Sequence, residues 1–199
     1  MRKAFILVSL CLIFVLASCA TTTKVERVDS SEVIDLTGTW NDTDVTIVCN
    51  ALLNECLSSG RLANFQMTNG RLPLVTVGTF KNQSSEHLDT SIITTKMRNA
   101  MINSGKIEFI ATRDAKQETR AEILDQMEFA KVSQQKSYAH EDAADFMMQG
   151  AVKSIVQESG KKQLRVYYVS AELVDIESGK IVWTGENSEI KKLVKKGTR

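Results

Sequence analysis

The sequence predicts a single small α+β domain, with a mixed, mostly antiparallel sheet of four to five strands flanked by about three helices. Three observations predict it. Apolar residues recur at helical spacing in the first half of the chain. β-branched and aromatic runs dominate its last third. Within that last third, Ser159-Gly160 and Ser178-Gly179 supply turn dipeptides between the runs.

Composition sets the limits within which those elements are read. The 199 residues are 43% hydrophobic and 25% charged, enough apolar material for a core. With 25 Lys and Arg against 24 Asp and Glu, the formal charge is +1, so no electrostatic footprint for nucleic acid is present. A lone proline excludes a collagen-like chain or a long polyproline spacer. Two histidines leave little material for transition-metal or acid–base constellations, and no cofactor, metal or small-molecule substrate is expected.

Residues 1–18 read as an export signal. Arg2 and Lys3 precede an uncharged apolar run over residues 4–17, too short to span a bilayer core, which takes roughly 20 helical residues. Leu16-Ala17-Ser18-Cys19 follows and resembles the lipobox of bacterial lipoproteins. That likeness implies cleavage between Ser18 and Cys19 and a diacylglycerol on the Cys19 thiol, with a second or third acyl chain making the anchoring stable. Ala20 stands where an Asp retains enteric lipoproteins on the inner membrane, so the likeness implies the outer membrane, with the domain in the periplasm. Cleavage removes Arg2 and Lys3 and no acidic residue, leaving a mature chain close to neutral.

Residues 19–38 comprise the lipidated cysteine and a Thr/Ser-rich polar tether, whose stretched reach is roughly 60 Å. The domain is expected over residues 39–190. Asn41 or Asp42 caps a first helix, in which Val45, Val48, Cys49, Leu52 and Cys56 form one stripe before Ser58-Ser59-Gly60 ends it. Residues 61–71 read as irregular, with Asn69-Gly70 as a turn. Residues 74–80 read as a buried strand entered through Pro73, and residues 81–87 as a polar loop. Asp89 caps a second helix with the stripe Ile93, Met97, Ala100 and Met101, stopped by Asn103-Ser104-Gly105. Residues 107–111 form a short strand. Thr112 caps a third helix running to about Gln135, its inner face Ile123, Met127 and Ala130. Strands are then expected at residues 146–156, 163–176 and 180–190, with Tyr167, Val169, Ala171 and Leu173 sharing one face of the middle one. Residues 191–199 are a basic C-terminal tail: either a solvated terminus or a contact for an anionic surface or acidic partner.

No catalytic residue emerges. Ser84, Ser85, His87 and Asp89 supply the letters of a hydrolytic triad, but as neighbours in one loop they read as capping residues. His140 lies beside Glu141 and Asp142 with no second His or Cys at ligand spacing. On one helix, Cys49 and Cys56 have Cα atoms roughly 10 Å apart, beyond the roughly 4.4–6.8 Å of a disulfide. They therefore read as small buried hydrophobes rather than as the disulfide an exported chain is able to form.

Several stretches, taken in order, carry a wider likeness. They are Gly38-Thr-Trp-Asn-Asp-Thr-Asp44, Val77-Gly-Thr-Phe-Lys-Asn-Gln-Ser-Ser-Glu-His-Leu-Asp89, Asn99-Ala-Met-Ile-Asn-Ser-Gly-Lys106, Ala144-Asp-Phe-Met-Met-Gln-Gly150 and Val174-Asp-Ile-Glu-Ser-Gly-Lys-Ile-Val-Trp-Thr-Gly185. With the lipobox, they resemble the LpoB family of outer-membrane lipoproteins. The resemblance implies an α+β domain that is not an enzyme. It implies docking on the regulatory domain of a penicillin-binding protein, a bifunctional murein synthase, and activation of peptidoglycan synthesis. It marks no partner-binding residue. The alternative reading is an envelope-assembly or secretion-accessory lipoprotein of the same fold. No long alternating apolar segment is spare for a membrane-inserting hairpin.

Overall fold

A computed structural model describes residues 27–29, 32–35, 37–136 and 141–195. The folded unit begins at Asp35. Of the unit before it, the described residues form no helix or strand, and Glu32 N–H donates to the Asp29 carbonyl. The expected signal, Ser18, Cys19 and most of the tether lie outside the described residues, as does His140.

Helix α1 spans Asp42–Ser58. Asn41 caps it reciprocally: its side chain accepts from Asp44 N–H, and the Asp44 carboxylate accepts from Asn41 N–H at 2.9 Å. All five residues of the expected stripe are buried. Residues 61–71 are not irregular as expected. They contain a second helix, α2, at Arg61–Asn69, bounded by Gly60 and Gly70, which both adopt positive φ. Burial decides this short helix: Leu62 enters the core, and the Phe65 ring meets Phe146 edge-on at 5.3 Å.

Strand β1 is Leu74–Asn82. Helix α3, Ser91–Asn103, has Thr90 at its N-cap, while Asp89 accepts from Ser91 N–H at 3.0 Å. Ile93, Met97 and Met101 are buried along α3, and Gly105 follows its end with positive φ. The expected strand at 107–111 shrinks to β2, Glu108–Phe109, parallel to β1.

Helix α4, Arg113–Phe129, ends earlier than expected and buries no residue. Ile123 and Ala130 are half-buried and Met127 is exposed. A 3-10 turn follows at Val132–Gln134, and the Gln135 amide donates to the Met127 and Ala130 carbonyls, satisfying groups that the helix leaves open.

Strands β3 (Phe146–Ser159), β4 (Lys162–Asp175), β5 (Ile181–Asn187) and β6 (Lys191–Lys195) complete the chain. Residues 191–195 are thus a strand rather than a free tail. The sheet order is β2-β1-β3-β4-β5, with β6 also on β4. β1 is parallel to β2 and β3, whereas β4 is antiparallel to β3, β5 and β6. The architecture is the α+β class expected, with six strands and four α-helices among the described residues.

Period-two alternation sorts the sheet's faces. Val75, Phe146, Met148, Val152, Tyr167, Val169, Ala171 and Leu173 face the core with α1 and α3. Thr79, Lys81, Lys153, Thr184 and Glu186 are exposed on the other face. A right-handed β2–α4–β3 connection runs back across the sheet and therefore puts α4 on that second face. There Thr76 shares a cleft with Arg113, Lys116 and Arg120.

Candidate functional site

Two adjoining polar clusters sit on the core side of β4 where it meets β6, with Arg165 directly opposite Lys192. In the first, Tyr167 Oη donates to Glu86 Oε1 at 2.6 Å, and Arg165 Nη1 reaches the same oxygen at 2.5 Å. The Trp40 ring lies 5.1 Å from Tyr167, tilted 60°. Burial, reinforced by the Glu86 carboxylate, pushes the Tyr167 phenol above its ordinary pKa. In the second, buried Lys192 reaches Asp35 and Asp44, each at 2.6 Å, and the Thr39 carbonyl at 2.9 Å. This cluster joins the first helix and the chain entering it to the last strand.

The Ser-rich loop before α3 carries no triad. The Ser84 hydroxyl donates to Asn82 Oδ1 at 2.7 Å, His87 is exposed, and Asp89 is engaged by Ser91. Hydrogen bonds from Ser91 hold the Asp89 carboxyl below the usual range. Cys49 and Cys56 are free and buried, as the helical spacing predicted. Burial pushes their thiols up to about 11 and about 12 respectively. In the native chain both are therefore expected to resist an aqueous alkylating reagent and to react once urea unfolds it. Peptide mapping by mass spectrometry checks this, and labelling of either in the folded chain contradicts it.

Among the described residues no group of His, Cys, Asp or Glu is placed to hold a metal ion. A cleft of about 640 Å³ is lined by Phe65, Arg71, Asp145, Asp175 and Glu177, but Arg71 clamps Asp145 through two contacts of 2.7 Å. That clamp is the first cause of the lowered Asp145 pKa. A shallow trough of about 290 Å³ lies on the solvent face of the sheet, with Lys81, Gln149, Ala151, Lys153 and Ser170 around it. Its Gln149 amide is taken up by Glu172 at 2.7 Å.

Sequence reading missed Arg165 and Lys192 as structural residues. The signal for Arg165 was its period: it shares the core-facing parity of Tyr167 and Val169. Lys192 carries no such signal, because Lys-Lys-Leu-Val-Lys over residues 191–195 has no period-two apolar pattern.

These features define a surface module: an α+β sheet with helices on its core face and much of its other face open. The family model described as the peptidoglycan-synthase activator LpoB matches residues 44–188, so the chain belongs to the LpoB family. Similar solved structures include the LpoB C-terminal domain from Salmonella enterica, 14% identical with TM-score 0.41, covering 73% of this chain and 97% of that one. The solution structure of Escherichia coli LpoB is 14% identical with TM-score 0.42, covering 88% and 83%. Lipoprotein GNA1162 from Neisseria meningitidis is 15% identical with TM-score 0.36, covering 61% and 83%. No curated protein matches the chain in sequence. Among the described residues, no helix is long and apolar enough to cross a membrane.

Proposed function

We propose that this chain is a lipid-anchored, non-enzymatic activator that docks on a bifunctional penicillin-binding protein and raises its peptidoglycan synthesis. The family match over residues 44–188 carries this reading. The basic start, apolar run and Leu16-Ala17-Ser18-Cys19 support the anchor, with the lipid on Cys19 and the domain in the periplasm.

Such an activator needs no reactive group. It binds the working conformation of the synthase more tightly than the idle one and so shifts the population between them. A coupling of about 1–3 kcal/mol corresponds to roughly 5–150-fold. Purified full-length chain is expected to bind a purified bifunctional penicillin-binding protein from the same cell and speed its glycan polymerisation several-fold. Neither binding nor acceleration with any such synthase of that cell would end the reading. Membrane fractionation tests the anchor separately. Cys19→Ala is expected to leave the outer-membrane fraction and to lose incorporation of labelled fatty acid. A variant that stays in that fraction is held there by something other than the lipid.

A further inference from the structure

We infer that the solvent face of the β3–β4–β6 arm docks an acidic, partly apolar protein surface. Resting on the function proposed above, that surface belongs to the murein synthase. The inference begins with register. β3 and β4 pair from Phe146 opposite Asp175 to Ser159 opposite Lys162, and β6 adds a third strand along Lys162 to Val166. Ile155 lies opposite Val166, and Leu164 opposite Leu193, so four apolar side chains share the outward face. Ile155 is 49% exposed and Leu193 54%.

From the Lys162 row to the Tyr168 row, charge on this face is one-sided; the carboxylates Glu186 and Glu172 enter only in the next two outward rows. Lys153 lies opposite Tyr168, Lys191 opposite Val166, and Lys195 directly opposite Lys162. These ladder rows contain no carboxylate. Glu158 has the opposite parity and bonds to Gln163. None of the four lysines forms an ion pair among the described residues. Like charges directly opposite on a sheet are destabilising, so the Lys162–Lys195 pair is a local cost that an acidic partner relieves.

The same features select the occupant. A second copy would set these lysines against their own kind. A bilayer would receive an apolar hairpin tip, but the tip is Glu158-Ser159-Gly160-Lys161, and the apolar residues lie mid-face. A flat apolar strip ringed by cations suits an acidic protein surface.

The test uses full-length chain and the purified bifunctional penicillin-binding protein, with affinity measured at low and raised salt. Leu193→Asp and the double charge reversal Lys191→Glu/Lys195→Glu are each expected to weaken the complex by roughly tenfold or more. Met67→Asp, at an exposed position on α2, is expected to bind as the parent does. Circular dichroism reports folding. If Leu193→Asp unfolds, the charge reversal decides. Parent-like affinity in a folded charge-reversal variant overturns the docking face while leaving the proposed function standing. A parent chain that binds no synthase overturns both. Two further outcomes overturn the inference alone: loss, in the charge-reversal variant, of binding to phosphatidylglycerol vesicles with synthase affinity unchanged, or loss of a parent dimer seen by light scattering.

Discussion

Replacing Gly150 with alanine is expected to cost about 3 kcal/mol of unfolding free energy, the upper range for overpacking a tight interior. Gly150 sits mid-strand in β3, between Phe80 of β1 and Ala171 of β4 in the ladder. A β-carbon there would collide with the Ser170 carbonyl oxygen and lie 2.5 Å from the Phe80 ring. Neither neighbour yields easily. Ser170 is mid-strand in β4, in register with Ala151 and Glu186, and Phe80 is 1% exposed. The strain arises from crowding, since Gly150 is not among the residues with positive φ. Urea unfolding followed by circular dichroism measures the loss. A midpoint within error of the parent would show that β1 and β4 move apart at little cost.

Lys192→Ala is expected to cost about 3 kcal/mol, because it leaves the Asp44 carboxylate buried without its cation. Asp44 retains Asn41 N–H, but its side chain is only 7% exposed, too little for water to replace the ammonium. Asp35, by contrast, is 48% exposed on its side of the lysine, so Asp35→Asn is expected to cost less than about 1 kcal/mol. The pair term follows from a double-mutant cycle. Asp44→Asn combined with Lys192→Met is expected to cost less than the sum of its two single changes. Additive costs would place the stabilisation elsewhere in β6. The clasp also has a functional bearing. Alternation turns Lys192 inward and Lys191 and Leu193 outward, so anchoring the buried lysine holds the docking face in place.

Two of the departures from the expected fold, α2 and β6, share a cause. α2 has only Leu62 and Phe65 to bury across Arg61–Asn69, a weak periodic signal in nine residues, and its stability comes from Phe146, far along the chain. The Lys191–Lys195 segment, Lys-Lys-Leu-Val-Lys, shows no apolar–polar alternation and is dominated by lysine, which reads as solvated; only its burial alternates. Its pairing depends on β4 continuing past the end of β5, a length that only the assembled sheet defines. The long α4 misled in the other direction. Its apolar positions have helical spacing, yet the helix is left with Leu124, Met127 and Phe129 exposed.

The sequence by itself determined the α+β class, the capped first helix, the core parity of β4 and the buried state of the two helix cysteines. Each of these follows from spacing within one element, where the 3.6- and 2-residue periods act locally. Tertiary structure decided which polar residues are buried and which surface is presented. Glu86 meets Tyr167 across 81 residues, and Asp44 meets Lys192 across most of the chain's length. The lysines and apolar residues of the arm become one face only when three strands take a common register. Those pairings join residues far apart in sequence, and no short-range pattern encodes them.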